Sequence, residues 1–179
     1  MTTDNLTFRK AVPSDAADIA RIYELIHDEE ETGRCTIGWE RGVYPTKSTA
    51  EESIAKGDMF VAECGGELIA AARINREQVD VYADAGWEYP ASDEQVMVLH
   101  TLVVSPDSAR KGIGSEFVSF YEKYAMENGC PFLRMDTNER NSRARALYRK
   151  LGYREADIVP CTFNGIGGVN LVCLEKKLC

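Results

Sequence analysis

The sequence predicts a single α/β domain in which helices cover both faces of a mixed β-sheet. Three observations support this fold class. Segments with the period of strands and of helices follow one another in the order β-α-α-β-β-β-α-β-α-β-β. No linker, repeat or low-complexity segment interrupts the 179 residues. With 44% hydrophobic and 28% charged residues the chain can bury one ordinary core. We expect one domain over residues 1–179, with its core at 6–177.

The first half of the chain predicts a strand, two helices and a hairpin. LTFRKA is typical of a short strand, and PSDAADIARIYELI of a helix capped by Ser14 or Asp15, with three isoleucines on one face. The polar segment HDEEETGRCTIGWERGVYPTKS, which contains Trp39 and Tyr44, is expected to be a loop or a broken helix. TAEESIAKG predicts a short helix. DMFVAECGGELIAAARIN predicts a hairpin, because two apolar runs flank a Gly-Gly pair.

The second half predicts four strands and two helices. An excursion with Tyr82, Trp87 and Tyr89 precedes EQVMVLHTLVVS, a strand apolar enough to be covered on both faces. A glycine-rich loop then leads into an amphipathic helix that ends near Gly129. PFLRMDTN predicts a strand, and NSRARALYRKLGY a helix with Gly152 at its C′ position. READIVPCTF and GVNLVCLEKKL close the chain as two strands.

Composition excludes several classes of protein. No stretch is apolar for the length that a bilayer requires, and the N-terminus has no signal-peptide pattern, so we expect a cytoplasmic protein that does not bind membranes. The net charge of −8 argues against nucleic-acid binding. Six scattered cysteines are typical of reduced thiols, and two distant histidines give no metal site.

The charge distribution and one loop point to an anionic ligand. Residues 1–99 carry 9 basic and 20 acidic side chains, whereas residues 100–154 carry 10 and 6. The basic region contains SPDSARKGIGS, a Gly-rich turn between a strand and a helix. Glycines let the backbone approach a ligand, and unpaired N–H groups at a helix start favour negative charge. Neither G-x-G-x-x-G directly after the strand nor G-x-x-x-x-G-K-[ST] is present, so this is neither a dinucleotide fingerprint nor a P-loop.

Two motifs together resemble those of the GNAT superfamily of acetyl-CoA-dependent N-acetyltransferases. They are LVVSPDSARKGIG and, one helix and one strand later, N-x-x-A-x-x-L-Y-x-K-L-G-Y at residues 141–153. The element order from residue 6 onward is also similar, which implies the mostly antiparallel sheet of six to seven strands that this family has. One position departs from the family pattern: Ala109 stands where the loop usually begins with Arg or Gln. Since the phosphate contacts are mainly backbone N–H groups, Ala109 is tolerable, and Arg110 can substitute.

The resemblance implies a binding site for acetyl-CoA, used as co-substrate without a metal. The strand would pair with the pantetheine arm, a bulge would free backbone groups, and the N–H near Val104 would stabilise the oxyanion. The loop and helix start would hold the pyrophosphate, and Asn141 the pantetheine, unless it is only a helix N-cap. The implied cofactor-binding residues are Leu102, Val103, Val104, Arg110, Lys111, Gly112, Ile113, Gly114, Ser115, Asn141 and Tyr148.

Catalysis would need an acid and a base. Tyr148 matches the family position whose hydroxyl can protonate the departing thiolate, the alternative being a core tyrosine. The acceptor amine must lose a proton before it attacks. His100 is the leading candidate base, because its ordinary pKa of about 6.5 suits proton transfer near neutrality. The alternative is a structural histidine, and Glu94 or Asp93 rank lower as bases.

We therefore predict transfer of acetyl from acetyl-CoA to a primary amine by direct attack in a ternary complex. HDEEET and the two aromatic-bearing excursions, around 39–44 and 82–89, fall where the family builds its acceptor pocket, which favours a small cationic acceptor. The alternatives are a protein N-terminus or lysine as acceptor, or a non-catalytic acyl-CoA-binding module. A homodimer is possible, as dimers are common in the superfamily.

Overall fold

The computed structural model describes residues 6–109 and 111–179, and its seven strands form one sheet in the order β1-β2-β3-β4-β5-β7-β6. Only β4 and β5 among neighbouring strands run parallel, and the remaining described pairs are antiparallel. The mixed, mostly antiparallel sheet predicted from the sequence is confirmed. The strands are β1 (Leu6–Lys10), β2 (Met59–Cys64), β3 (Glu67–Asn75), β4 (Val96–Val104), β5 (Phe132–Asn138), β6 (Arg154–Phe163) and β7 (Ile166–Lys177).

Four helices cover the two faces of the sheet, as expected. The first pair, α1 (Ala16–Glu31) and α2 (Lys47–Ala55), packs on one face through a cluster of buried residues that includes Val61 and Val103. The second pair, α3 (Ile113–Glu127) and α4 (Ser142–Lys150), packs on the other face. The hydroxyl of Tyr121 in α3 donates to the carbonyl of Met97 at 2.6 Å, which ties this helix to β4. Within the described residues no helix is long and apolar enough to cross a membrane.

Helix α1 extends further than the sequence predicted. The segment that begins at His27 is expected from the sequence to be a loop or a broken helix, and it continues α1 without a break to Glu31. Two interactions explain the difference. His27 is 1% exposed and packs inward, and Arg41 forms ion pairs with three acidic side chains of α1, at positions 24, 28 and 31. A cation shared among acidic residues offsets the mutual repulsion that would otherwise fray this end of the helix.

The excursion between β3 and β4 folds back under the sheet, on the face that α1 covers further along. It contains a 3₁₀ turn at Asp80–Asp84, and Tyr82 is buried in a cluster with residues of β4 and β7. The ring of Trp87 lies 4.2 Å from the guanidinium carbon of Arg134, a cation–π contact, and Tyr89 packs near Phe132. The aromatic residues of the excursion therefore pack against the sheet, and Tyr82, its one buried residue, is its contribution to the site described below.

Candidate active site

The site lies where β4 and β5 separate. The two parallel strands pair from Val96 to Leu99 and from Phe132 to Met135 and then diverge. Beyond this point their carboxyl ends enclose a cavity with about 720 Å³ of empty space, counted with its open mouth. Leu102 borders the cavity from β4, and Asp136 borders it from β5. A split between adjacent parallel strands, at their carboxyl ends, is where open α/β sheets bind ligands.

A β-bulge in β4 shapes one wall of the cavity. Ala71 of β3 pairs with Val103 and Arg73 pairs with His100, so two residues of β4 face one residue of β3. Thr101, one of the two, has a φ of 52°. Its hydroxyl hydrogen-bonds the hydroxyl of Tyr44, which holds the bulged residue at the cavity. Because a bulge interrupts the ladder, backbone groups of β4 become available to a ligand.

The predicted phosphate-binding loop leads from the bulged strand into α3. Gly112 is the N-cap of α3 in the left-handed conformation, with φ 81° and ψ 0°, and open space surrounds its α-carbon. Gly114 lets α3 approach α4, since a Cβ there would lie 3.3 Å from Leu147. Lys111 is exposed and donates to the carbonyl of Asp107. Arg110 lies outside the described residues. The first turn of α3 thus begins in the loop that follows the carboxyl end of β4, and the N–H groups of a first helical turn have no partner within their own helix.

The remaining strand residues of the predicted cofactor site play different packing roles. Leu102 borders the cavity, Val103 is 2% exposed in the cluster beneath α1, and Val104 packs toward α3. Ile113 is 5% exposed and Ser115 is partly buried at the start of α3. Their side chains therefore build the core, and backbone groups are what this strand and helix start can offer a ligand.

Asn141 and Tyr148 of the second motif both border the cavity. The side-chain oxygen Oδ1 of Asn141 accepts from the N–H of Ala144 at 3.2 Å, so Asn141 is the N-cap of α4. Its side-chain nitrogen Nδ2 donates to the Thr137 hydroxyl at 3.1 Å. Tyr148 is 7% exposed, and its hydroxyl bonds to none of the residues that the structure describes. Burial first, and then the negative charge of Asp136, raises the pKa of Tyr148, so that its hydroxyl stays protonated.

His100 does not border the cavity. Its side chain is 6% exposed, and its Nε2 lies 3.0 Å from the side-chain oxygen of Asn75. Burial, and then the charge of Arg73, lower the pKa of His100 to about 3, which makes it a weak base. Asp93 and Glu94 lie in the turn that precedes β4, at the opposite end of that strand from the bulge. The geometry therefore favours none of the base candidates named from the sequence.

Asp136 is the carboxylate that the structure brings to the cavity instead. Burial raises the pKa of this residue to about 6, against the lowering effects of a hydrogen bond from Tyr82 and of the charge of Arg73. The Tyr82 hydroxyl donates to Oδ2 of Asp136 at 2.7 Å. Asp136 was missed because it looks like the polar end of a strand. The sequence does place Asp136 two residues before Asn138, on the same face of β5. This spacing indicates a site only when it is known that β4 and β5 separate beside these residues.

Two segments form the outer wall of the cavity. The first, residues 35–44, we call the strap, and its aromatic residues Trp39 and Tyr44 pack with ring centroids 6.0 Å apart. The second is the β6–β7 hairpin. The cavity is lined from the strap by Ile37, Gly38, Trp39 and Tyr44, and from the hairpin by Phe163, Asn164, Ile166, Val169 and Leu171. The strap residues thus lie where the sequence placed an acceptor pocket, and Trp87 and Tyr89 do not.

The acidic segment HDEEET anchors the strap and does not line the cavity. Glu30 accepts hydrogen bonds from the N–H groups of Ile37 at 2.6 Å and Gly38 at 2.9 Å. Three other carboxylates of α1 bind Arg41 from the strap, as described above. These carboxylates are therefore paired with groups of the strap. Asp136 is the acidic side chain that lines the described part of the cavity.

Comparisons with known proteins agree with this architecture. The family model described as the acetyltransferase (GNAT) family matches residues 19–153. YhfO of Bacillus subtilis, named an uncharacterized N-acetyltransferase, is 33% identical over 154 residues, which cover 84% of this chain and 91% of that protein.

Solved structures share the fold at low sequence identity. An acetyltransferase of the GNAT family from Streptococcus agalactiae superposes with a TM-score of 0.80 at 22% identity, covering 96% of this chain and 95% of that one. The yncA protein of Salmonella typhimurium, a putative acetyltransferase solved with its cofactor acetyl-CoA, superposes with a TM-score of 0.69 at 18% identity. The match covers 98% of this chain and 95% of that one. The family model, which covers most of the chain, and the relative that is 33% identical over 84% of it together show that the chain belongs to the GNAT family of acetyltransferases.

Proposed function

We propose that this N-acetyltransferase moves the acetyl group of acetyl-CoA to a primary amine by direct attack in a ternary complex, with Asp136 as base and Tyr148 as acid. The observation that carries the proposal is that these two side chains border one cavity, at the point where β4 and β5 separate. Burial raises the pKa of both side chains, that of Asp136 to about 6, and perturbed pKa values at a shared cavity are typical of a catalytic site.

The described residues fit acetyl-CoA. The N–H groups at the start of α3, beside the left-handed Gly112, would hold the pyrophosphate, with Lys111 adding positive charge. Backbone groups of β4 from Leu102 to Val104 would pair with the pantetheine arm along the edge that faces β5, because the pairing of β4 with β5 ends at Leu99. The amide of Asn141 would position the same arm from α4. Acetyl-CoA supplies the activated acyl group.

Each proton has a carrier in this arrangement. Asp136 would accept a proton from the acceptor ammonium, which leaves a nitrogen lone pair free to form the bond to the acetyl carbon. The N–H near Val104 would stabilise the negative charge that builds on the thioester oxygen. As the carbon–sulfur bond breaks, the Tyr148 hydroxyl would donate its proton to the departing sulfur, and the second proton that the nitrogen loses would restore the hydroxyl, while the proton on Asp136 leaves to solvent. The products are an acetylated amine, free CoA and a proton released to solvent.

The described lining contains one carboxylate, that of Asp136, so we expect the cavity to take one ammonium group, which is consistent with a small cationic acceptor. The six cysteines are all free, which fits our prediction of a reducing, cytoplasmic location. A homodimer stays a prediction that sedimentation equilibrium would test.

The test is mass-spectrometric detection of acetylated product from a panel of amino acids, arylalkylamines, polyamines, aminoglycosides and peptides. Mass detection avoids the thiol background of the protein's own cysteines. We expect acceptor-dependent product from the wild type, and strongly reduced product from Asp136→Asn and Tyr148→Phe. Tight acetyl-CoA binding with no product from any acceptor class would contradict the proposal and favour a binding module.

A further inference from the structure

Two hydrogen-bond donors at the rim of the cavity have no partner among the described residues. The first is the side-chain amide of Asn138, which borders the cavity at the end of β5. Its oxygen accepts from the N–H of Arg140 at 3.0 Å, and this bond fixes which way the amide faces. The nitrogen Nδ2 is therefore the atom that Asn138 turns toward the strap, where it donates to none of the described residues.

The second donor is the guanidinium of Arg140. A Cβ added to Gly38 of the strap would overlap Nδ2 of Asn138 and lie 3.0 Å from Nη2 of Arg140, so both donors adjoin one point beside Gly38. The Thr36 hydroxyl donates to the Arg140 carbonyl at 2.9 Å and holds the strap against this turn. Arg140 forms no ion pair within the described part of the chain, although the neighbouring Arg145 is paired with Glu155.

Opposite charges thus stand at the two ends of a short interval. Asp136 and Asn138 lie two residues apart on the same face of β5, a rise of about 6.6 Å. A carboxylate marks one end, and an amide and a guanidinium mark the other. A guanidinium beside an amide is a carboxylate-binding arrangement, because charged hydrogen bonds of this kind are the strong ones.

We propose that the acceptor is an α-amino acid, its ammonium group at Asp136 and its carboxylate bound by Asn138 and Arg140. This rests on the function proposed above and names the substrate class of that site. In an α-amino acid a single carbon atom joins the nitrogen to the carboxylate carbon. The molecule, with one hydrogen bond at its ammonium group and one at its carboxylate, therefore spans the distance between Asp136 and Asn138. Gly38 packs closely against both donors, and a side chain at that position would displace them.

The side chain of the amino acid would meet an apolar wall. Trp39, Phe163, Ile166, Val169 and Leu171 line the outer cavity. The described lining contains no second carboxylate, so a polyamine would gain nothing from its further cations. Apolar and aromatic amino acids are therefore the members of the class that fit.

The test compares phenylalanine with phenylalaninamide, phenethylamine and the dipeptide Phe-Ala, using the full chain and mass detection of product. The three comparison compounds keep the primary amine and the ring and lack the adjacent carboxylate. We expect kcat/KM for phenylalanine to exceed theirs by about 10- to 100-fold, the range for losing a charged hydrogen bond. Equal or better use of the amide, the amine or the dipeptide would overturn the amino-acid assignment while leaving the transferase intact.

Variants separate a binding role for Arg140 from a structural one. Arg140→Gln should raise KM for phenylalanine by about 10-fold or more and leave phenethylamine unaffected. The matched control is Arg143→Gln, which removes the same charge at an exposed position in the first turn of α4. It should change the KM of neither phenylalanine nor phenethylamine. If Arg140→Gln lowered kcat/KM equally for all acceptors, the proposal would be overturned. No acetylated product from any compound would reject the proposed function, and this inference with it.

Discussion

Replacing Asp136 by Asn should stabilise the protein and inactivate it at the same time. The carboxyl group is enclosed between the sheet and the cavity, and its burial raises its pKa from an ordinary value of 3.8 to about 6. Ionising it in the folded protein therefore costs free energy that ionising it in the unfolded chain does not. Asn keeps an oxygen that can accept from the Tyr82 hydroxyl and removes the charge.

The magnitude follows from the difference between the two pKa values. About two pKa units correspond to about 3 kcal/mol of unfolding free energy, an upper value because water in the cavity screens the charge. The folded state binds the proton more tightly, so wild-type stability falls as pH rises between about 4 and 6 and is constant above that range. Below pH 4 both states are protonated, and the penalty is absent.

Urea unfolding at pH 4 and at pH 8 measures this contribution. The gain in unfolding free energy of Asp136→Asn should be about 2–3 kcal/mol larger at pH 8 than at pH 4, because any packing effect of the amide is common to both. The melting temperature at pH 8 should rise by about 5–10 °C for a domain of this size. Asp84→Asn, exposed in the same 3₁₀ turn as Tyr82, is the control and should show no such pH dependence.

Activity provides the second readout. Wild-type kcat/KM should rise as pH increases through about 6, since Asp136 must be ionised to accept a proton. In Asp136→Asn this rise should disappear and kcat/KM should fall by about 10²-fold or more. A variant with the same stability difference at both pH values would show that the carboxyl is not buried in its charged form. A variant with wild-type turnover would show that another group is the base.

Three further changes test other parts of the site. Tyr148→Phe should lower kcat by about 10²-fold in steady-state assays and leave the Kd of acetyl-CoA unchanged by calorimetry; unchanged turnover would remove Tyr148 as the acid. Gly112→Glu should abolish acetyl-CoA binding through its charge, whereas Gly112→Ala, which meets open space at φ 81°, should keep binding and cost about 1 kcal/mol of stability. Loss of binding in both would point to the backbone and not to the charge. Glu30→Gln replaces an acceptor of two N–H groups, those of Ile37 and Gly38, by an amide that can accept from one, so the acceptor KM should rise about 10-fold with the Kd of acetyl-CoA unchanged; an equal effect on both ligands would mean that the strap does not act on the acceptor alone.

The order of elements could be predicted because it depends on local patterns. Each pattern determines the conformation of only the few residues around it. This applies to the apolar periods of β4 and α3, to the hairpin glycines and to the Gly at the start of α3. Gly112 is the clearest case, since its left-handed conformation is a property of one residue. The same holds for Asn141, whose N-cap hydrogen bond spans three residues.

The end of α1 and the basicity of His100 depend on distant partners. The helix continues to Glu31 because Arg41, ten residues later, pairs with its acidic side chains. His100 was named as a base from its ordinary pKa, and that value changes once the fold buries the ring beside Arg73 and Asn75. Burial and neighbouring charge are properties of the folded molecule and leave no mark on the local sequence.

The family and the order of helices and strands follow from the amino-acid order, and so does the prediction that the loop before α3 holds the phosphates of acetyl-CoA. Local periodicity and two short motifs carry that information. The set of polar groups that share the cavity follows from the fold alone. Asp136, Asn141 and Tyr148 come from β5 and α4, and the separation of β4 and β5 brings all three to one cavity, where Tyr82 from the distant excursion holds Asp136 by a hydrogen bond. Their chemistry depends on burial and on each other, and both arise only when the chain has folded.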